Sequence, residues 1–470
     1  MSDEEKSKQA EPAASRETYP VMDLGKGIVG WESQEDPLNP RNYPPSRKWF
    51  QLATVSIITF ISPFASSVFA PGVSLAAQEF GQTSSIHSSF TVTAYLFGYL
   101  SGPLVLSPLS EVCGRRITLN VATTIFVLFQ IGCALAPNLS ALIVFRFLTG
   151  FGGSGCLTIG GGMVVDLFET EQRGLALSFY SFGPLFAPVI GPICGGFIAQ
   201  RAGWRWIFWV LVIVGGTLTG IVMVANRETN PTVLIRRKTV ALRKELSRPE
   251  LRSCYEKEGE ARGLATLLMR TSTRVIKLLA TSPIVLMMAL YIASVYGCLY
   301  LLFTTITSVF QDQYGWSVEI SGLAYIGLGL GFFAGQLPEM RLPLCLPFAL
   351  FVPISFFWYG WSVQEKTHWI VPIIGLFPFA FGIIGIFGTL QAYIVDSYPR
   401  YAASGIGAIT VTRSLFGALL PLAGPPMYEK LGYGWGNSLL GFVTLAMISL
   451  PILFRRTGAS LRQKFTVDLE

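Results

Sequence analysis

The sequence is poor in charged residues, which make up 13% of its 470 residues. A soluble globular protein carries about 25%. Hydrophobic residues account for 51%, and Gly and Phe are abundant. The chain therefore lacks the polar surface that keeps a protein dissolved, which disfavours a soluble enzyme. This composition is typical of a protein that crosses a membrane several times.

Histidine is almost absent, and cysteine shows no paired spacing. The two histidines, His87 and His368, are too few for a His-based metal centre. The seven cysteines fit neither a disulfide framework nor a zinc site, because most lie in or beside apolar runs. We therefore expect no metal and no cofactor.

The first 20 residues lack the apolar core of a signal peptide, so we interpret residues 1–47 as a flexible cytoplasmic tail. About 20 apolar residues span the hydrocarbon core as a helix. Twelve runs qualify in this sequence, at residues 48–70, 88–107, 116–136, 139–164, 174–199, 204–226, 281–309, 319–337, 343–363, 368–394, 403–426 and 434–455.

Lys and Arg define the orientation, because they are enriched in cytoplasmic loops. With the N-terminal tail inside, 29 of the 35 Lys and Arg residues fall in inner segments and four in outer loops. This predicts that both termini are cytoplasmic. The basic balance then reflects membrane orientation, so we expect no nucleic-acid partner. A charged segment at 227–280 divides the runs into six before it and six after it. The stretch "GLATLLMRTSTRVIKLLA" within this segment could lie at the membrane interface; the alternative is that it only connects the two bundles.

The stretch "SPLSEVCGRR" at residues 107–116 separates the second and third runs. Gly114 permits a tight turn, and Arg115 and Arg116 hold that turn on the cytoplasmic side. Glu111 can pair there with a cation or with a neighbouring helix end. The stretch resembles the loop 2–3 signature of the major facilitator superfamily, which has Asp at the place of Glu111. The resemblance implies a latch between two helix bundles; the alternative is a positive-inside anchor with no gating role.

Arg146 lies within an apolar run, in "FRFLTGFGGSG". An arginine at the centre of a membrane helix costs about 2.5–3.5 kcal/mol on insertion scales, so it indicates a functional role. The stretch resembles the fourth-helix motif of the superfamily, and the resemblance links Arg146 to proton coupling. The alternative is an arginine whose head reaches the membrane interface.

The fifth run contains "GPLFAPVIGPICGGF", whose small residues allow close helix packing and whose prolines bend the helix. Physical chemistry alone indicates only tight packing. The stretch also resembles the antiporter signature of the superfamily, which favours an exporter over a symporter. The matching residues are Gly191, Pro192, Gly195 and Gly196.

The resemblance extends over nearly the whole chain from Asp36 onward, including "RSLFGALLPLAGPPMYEKLGYGWGNSLLGF". It is most specific for fungal drug:proton antiporters with twelve spans, a branch that includes multidrug and polyamine exporters. The resemblance implies an all-α membrane protein of the major facilitator fold, with twelve helices in two six-helix bundles. We assign the two bundles to residues 48–226 and 281–456. The linker between them is residues 227–280, and the two tails are residues 1–47 and 457–470.

One departure concerns spans eight and nine, which members of that branch join by a longer cytoplasmic connection. Here "GLGLGFFAGQ" runs almost directly into "LPEMRLPL". We therefore predict a short eighth span and no counterpart of the loop 2–3 latch in the second half.

Aromatic and polar residues on spans near the centre are candidates for a substrate cavity, although they could instead fill helix interfaces. A cavity of this kind suits bulky apolar or cationic compounds through stacking and cation–π contacts. The candidates are Tyr95, Tyr296, Tyr300, Gln391 and Tyr393.

Two acid–base pairs flank cytoplasmic helix ends, Asp166 with Arg173 and Asp396 with Arg400. We predict that they are gating ion pairs. No carboxylate lies clearly at mid-membrane, so the sequence identifies no proton carrier. Proton antiport is therefore implied only by the resemblance.

The preferred hypothesis is a secondary active transporter, not an enzyme. It would export drugs, toxins or polyamines by alternating access, with proton antiport. Its expected partners are a small-molecule substrate, protons and the lipid bilayer, and we expect a monomer in the plasma membrane rather than the vacuole. The alternatives are a facilitator or symporter for a small solute, and a non-transporting sensor or inactive shortened copy.

Overall fold

The computed structural model describes residues 19–82, 84–256, 273, 276–335, 345–397 and 402–453, and helices dominate this part of the chain. Lipid offers no partner to backbone N–H and C=O groups, so each crossing must satisfy them internally. The helices of the first half are α1 (Pro45–Ser67), α2 (Val73–Glu79), α3 (Ser85–Val112), α4 (Arg115–Ala134), α5 (Leu139–Leu167), α6 (Thr170–Ala202) and α7 (Trp204–Ala225).

A linker helix, α8 (Pro231–Glu245), separates the two halves. The helices of the second half are α9 (Pro283–Tyr314), α10 (Val318–Ser321), α11 (Ile326–Gly335), α12 (Cys345–Gln364), α13 (Ile370–Ser397) and α14 (Ala402–Met447). We call the side of the bundle that carries α8 the linker face, and the opposite side the distal face.

Eleven helical stretches in the described residues are long and apolar enough to cross a membrane. The last of them, Gly405–Leu453, has 49 residues. As a straight helix it would measure about 73 Å, more than twice the thickness of a bilayer core. It is not straight, because Gly432 has the non-helical backbone angles φ 70° and ψ 176°.

The chain reverses direction at Gly432, so the two arms of α14 are two crossings. The first arm runs parallel to α9 and the second runs antiparallel to α12. The pairs that show this are Gly417–Tyr296 and Gly424–Thr305 in the first arm, and Trp435–Trp361 and Phe442–Phe357 in the second. The described residues thus provide twelve crossings, and the all-α fold inferred from the sequence is confirmed.

The eighth crossing is interrupted. It consists of α10, a 3-10 turn at Gly322–Tyr325, and α11, and its candidate span Val318–Gly335 has 18 residues. The connection to α12, at 336–344, lies outside the described residues, so the missing second latch stays a prediction.

The N-terminal segment is folded from residue 19 onward. Its strand β1 (Ile28–Val29) pairs in parallel with β2 (Arg252–Ser253) of the linker. The amide of Arg252 donates to the carbonyl of Gly27 at 2.7 Å, and the amide of Cys254 donates to the carbonyl of Val29 at 2.9 Å. The buried residues of the resulting apolar cluster are Val29, Trp31, Ile235 and Leu251.

Polar contacts also hold this segment to α8. Asp36 is 1% exposed, and its carboxylate accepts hydrogen bonds from the amides of Glu32 and Leu38, both at 2.9 Å. Lys238 of α8 contacts the Glu32 carboxylate at 2.9 Å and that of Asp36 at 3.7 Å. Residues 19–43 and 231–256 therefore form one unit, the tail–linker module, and the expectation of a flexible tail is wrong for this part of the N-terminus.

The linker is accordingly more than a tether over its described residues. The indole of Trp31 donates a hydrogen bond to the Tyr255 hydroxyl at 3.2 Å, and burial raises the pKa of that hydroxyl. The predicted interfacial helix at 263–280 lies mostly outside the described residues and stays a prediction.

Replacing Trp31 with alanine should open the tail–linker module. Trp31 is 1% exposed, and emptying such a site costs about 3–5 kcal/mol in a protein core. We expect faster tryptic cleavage of the purified protein after Lys26, measured by mass spectrometry of timed digests. Leu38, which is 53% exposed, provides the matched control Leu38→Ala. Equal cleavage rates in all three proteins would contradict a packed module.

Candidate functional site

The first crossing is broken near its distal end, and Arg146 lies at the break. Helix α1 ends at Ser67, so its last carbonyl groups lack partners within the helix. The Arg146 guanidinium donates to the carbonyls of Ala65 at 2.7 Å and Ser66 at 3.1 Å, and to that of Thr91 on α3 at 3.3 Å. A cation at a helix C-terminus also interacts favourably with the helix dipole. Arg146 therefore caps α1.

The Arg146 side chain is fully enclosed, with 0% exposure. Its guanidinium also lies over the ring of Tyr95, 4.8 Å from the centroid. The Tyr95 hydroxyl in turn donates to the Ser62 carbonyl of α1 at 2.8 Å. The alternative in which Arg146 extends to the membrane interface is therefore wrong.

The capped end of α1 contacts the second half of the protein. The hydroxyl oxygens of Ser66 and Tyr300 on α9 are 3.0 Å apart, within hydrogen-bond distance. Tyr300 packs on Tyr296 with ring centroids 5.0 Å apart. The Arg413 guanidinium of α14 lies 5.1 Å from the Tyr296 centroid. A continuous row of contacts therefore joins Arg146 in one half to Arg413 in the other.

The five predicted cavity residues do not share one environment. Tyr95 and Tyr300 are 0% and 3% exposed and fill helix interfaces, as the alternative interpretation proposed for such residues. Tyr296, Gln391 and Tyr393 are half-buried in the second half. Of the latter three, Tyr296 carries the contact with Arg413.

The motif of the fifth crossing lies where the two halves meet. Gly195 lies against the backbone oxygen of Val68, so a β-carbon would not fit there. A β-carbon on Gly196 would lie 2.7 Å from the Val318 backbone oxygen of α10. The other two motif residues make similar approaches, Gly191 to Ser67 and Pro192 to Gly322. These small residues allow α6 to seal against both α1 and α10.

An ion pair adds to this seal at the distal face. Arg201 Nε of α6 lies 3.1 Å from Glu319 Oε2 of α10, with the arginine largely exposed. Exposed pairs of this kind contribute little free energy, about 0–1 kcal/mol. The distal face is therefore closed mainly by backbone packing of α6 on α10.

The turn between α3 and α4 is built around a carboxylate from the linker. Glu228 accepts hydrogen bonds from the amides of Arg115 at 2.8 Å and Arg116 at 3.3 Å, the first residues of α4. An anion at a helix N-terminus satisfies free N–H groups and the helix dipole. Gly114 has φ 106° and ψ 156°, and it lies directly against the Glu228 carboxylate.

The two arginine side chains bind the same half of the protein. Arg115 contacts Asp166 of α5 at 3.3 Å and donates to the Ser110 hydroxyl at 2.7 Å. Arg116 donates to the Met223 carbonyl of α7 at 2.9 Å. Arg236 of α8 donates to the Val112 carbonyl. The turn therefore joins α3, α4, α5, α7 and the linker.

These contacts correct two predictions. Asp166 pairs with Arg115 rather than with Arg173, which donates instead to the Phe168 carbonyl at 3.5 Å. Glu111 was expected to pair with a cation or helix end; it is exposed and has no ion pair or hydrogen bond with any described residue. The second predicted pair cannot be placed, since Arg400 and the Asp396 side chain lie outside the described residues.

Sequence reasoning missed three residues that matter here. Glu228 precedes the Asn230 cap of α8 and gave no signal, because the amides that it binds at the start of α4 are distant in sequence. Ser66 is an ordinary serine in an apolar run. Arg413 lies in the apolar run at 403–426, and an arginine in a membrane helix was the signal that could have found it.

The fold and this site define a multi-pass membrane protein of two contacting helix bundles. Comparison with protein families shows a match to the Major Facilitator Superfamily over residues 55–421. The chain belongs to this superfamily and is a membrane transporter, not an enzyme. The superfamily inferred from the sequence motifs is thereby confirmed.

Curated relatives are fungal. The chain is 43% identical over 467 residues to the efflux pump radE of Floropilus chiversii, covering 94% of this chain and 86% of radE. It is 45% identical over 456 residues to the MFS-type transporter penM of Penicillium rubens, covering 93% and 89%. It is 43% identical over 456 residues to the MFS transporter cpaT of Aspergillus oryzae, covering 92% and 91%.

Solved structures share the fold. The xylose transporter XylE from E. coli, in a partially occluded inward-open conformation, matches with a TM-score of 0.66 and 17% identity. The match covers 90% of this chain and 98% of XylE. At this level of identity, the similarity concerns the architecture of the two bundles.

Replacing Gly114 with alanine should destabilise the first half. Its backbone angles are nearly exclusive to glycine, and they cost other residues about 1–3 kcal/mol. The β-carbon would also collide with Glu228. We expect a lower unfolding midpoint in detergent. Gly161→Ala is the control, because a β-carbon on Gly161 would have no other atom within 4 Å; equal midpoints for the two variants would refute the account.

Replacing Tyr300 with phenylalanine should favour opening of the distal face. Its hydrogen bond to Ser66 joins the two halves, and a net contribution of about 0.5–1.5 kcal/mol corresponds to a two- to tenfold shift in the conformational equilibrium. Spin labels at positions 200 and 365 in a cysteine-free background would report the shift as a longer distance population. Tyr95→Phe should leave the distances unchanged, because its partner Ser62 lies in the same half.

Proposed function

We propose that this protein exports small organic compounds, such as drugs or toxins, by alternating access between its two bundles. The observation that carries the proposal is the closed distal face, where Gly196 packs on Val318 and Ser66 meets Tyr300. On the linker face, Glu111 at the end of α3 is exposed. A closed distal face, with the Glu111 carboxylate exposed at the linker face, fits a transporter that loads substrate from the linker side.

The direction of transport follows from the predicted orientation and from the relatives. Lys and Arg are concentrated on the linker face, which we therefore assign to the cytoplasm, with both termini there. Loading from this side means export. The relative radE is an efflux pump, which supports the same direction. We place the protein in the plasma membrane and treat it as a monomer.

We further propose that export is coupled to proton entry, with Arg146 as the coupling residue. Arg146 binds the carbonyls of α1 that lie beside the Ser66–Tyr300 contact. A change in the hydrogen bonds of Arg146 would therefore alter the contact between the two halves. Two described carboxylates near helix ends are engaged in ion pairs, Asp166 with Arg115 and Glu79 with Arg205. Coupling through Arg146 then acts on the end of α1.

The export proposal is tested in a yeast strain that lacks its main drug exporters. We expect expression of the chain to raise resistance to at least one compound in a panel of antifungals, dyes, organic acids and polyamines. Gly196→Val should abolish that resistance, because its side chain meets the Val318 backbone and prevents distal closure. Growth rates and cellular accumulation of the compound provide the measurements.

Gly220→Val is the matched control, because Gly220 lies in α7 with no atom within 4 Å of a β-carbon position. It should retain resistance, and a fluorescent tag should show equal surface expression of all three proteins. Lack of resistance to every compound despite surface expression would refute export. Resistance that survives Gly196→Val would refute the role of the distal seal.

A further inference from the structure

We propose that Arg413 forms a subsite for the anionic group of an aromatic substrate, a carboxylate or phenolate whose ring stacks beside Tyr296 and Phe387. This inference rests on the proposed export function and names its substrate class. It replaces the expectation of cationic substrates, since a fixed positive charge in the site repels a cation.

The two intramembrane arginines differ in how their donors are used. Arg146 is fully buried and binds three backbone carbonyls. Arg413 is half-buried, and its guanidinium carbon lies over two rings, 5.1 Å from the Tyr296 centroid and 5.7 Å from that of Phe387. Its Nε atom is buried and has no hydrogen-bond partner among the described residues. Each nitrogen of the Arg146 guanidinium therefore donates to a carbonyl, whereas no side-chain hydrogen bond among the described residues involves Arg413.

Ring faces satisfy the charge of Arg413 only in part. A guanidinium carries five N–H donors in a planar fork that matches a carboxylate, and an aromatic face does not take up these donors as an oxygen would. A charged group inside a membrane protein is costly unless it is paired or lines a cavity. The arrangement is that of a cation held in position by aromatic contacts, with its hydrogen bonds left for a ligand.

No described acidic residue competes for this guanidinium. The ion pairs among the described residues lie in the N-terminal segment, in the linker and at helix ends, and none includes Arg413. Asp396 is on α13 but follows Phe387 by nine positions, which is about 13 Å along a helix. Its backbone therefore lies toward the linker face, away from the rings that hold Arg413.

The subsite adjoins the contact between the two halves. Tyr296 packs on Tyr300, and the Tyr300 hydroxyl meets Ser66 of α1. The first arm of α14 also contacts α3, where Gly417 lies against Leu96. A ligand at Arg413 would therefore contact second-half residues that themselves contact the first half. Alternating access places the substrate at this interface between the two halves.

The test measures binding of matched acid and amide probes to the full-length protein in phosphatidylcholine nanodiscs at pH 7. The probes are 2-naphthoate with 2-naphthamide, and pyrene-1-carboxylate with pyrene-1-carboxamide. We expect the wild type to bind at least one acid about tenfold more tightly than its amide, the effect of one charged hydrogen-bonded contact. The preference should disappear in Arg413→Gln and persist in weaker form in Arg413→Lys.

Three results would overturn the subsite. They are equal affinity for acid and amide in the wild type, no binding of any probe, and an acid preference that survives Arg413→Gln. If the Arg413→Gln protein does not fold, the contribution of ring stacking is tested with the double variant Tyr296→Ala, Phe387→Ala, which keeps Arg413. Loss of the two rings should weaken binding of the acid and of the amide alike.

The outcome is separable from that of the export proposal. Resistance to an uncharged compound in yeast, together with no acid preference in nanodiscs, would overturn the anion subsite and leave export standing. An acid preference without export of any compound would overturn export and leave the subsite. The same variant, Arg413→Gln, should reduce efflux of acids.

Discussion

The hydrogen bonds from Arg146 to the end of α1 are the interaction on which the arrangement of the two halves depends. A helix end that is buried in the protein leaves carbonyl groups that need partners there. Arg146 supplies donors to Ala65 and Ser66 and so allows α1 to stop at Ser67. The Ser66 hydroxyl can then meet Tyr300, and the backbone at Val68 can receive the glycines of α6. The cap therefore places Ser66 and Val68 at the distal face, where the packing of α6 on α10 completes the seal.

At the linker face a helix end is again satisfied by a charged side chain, here an anion at a helix N-terminus instead of a cation at a helix C-terminus. The first amides of α4 need acceptors, and Glu228 provides them from the linker. Because Glu228 is also the start of the segment that leads into α8, the linker is attached to the turn between α3 and α4. The tail–linker module then adds the N-terminal segment through Trp31 and Lys238. The tail–linker module therefore belongs structurally to the first bundle.

Much of the fold could be predicted because membrane helices are recognisable by their length and apolarity. The residues that make the site could be found only in part. Arg146 and the motif of α6 were identified, since an arginine or a row of small residues is unusual in an apolar run. The pairing of Asp166 with Arg115 rather than Arg173 was not foreseeable, because neighbours in sequence were taken as neighbours in space. The folded N-terminus was missed because its apolar residues are few and their partners lie more than 200 positions away.

Composition and hydropathy by themselves determined that this chain crosses a membrane many times and that it is helical; the superfamily was inferred from the resemblance of its motifs. The hydrocarbon core imposes these features on each segment separately, so each can be read locally. Which donor meets which acceptor was decided only by the tertiary structure. Arg146 and Arg413 are alike in sequence, each a lone arginine in an apolar run. Arg146 donates to three backbone carbonyls and Arg413 lies against two ring faces, because packing between distant helices determines what surrounds each charge.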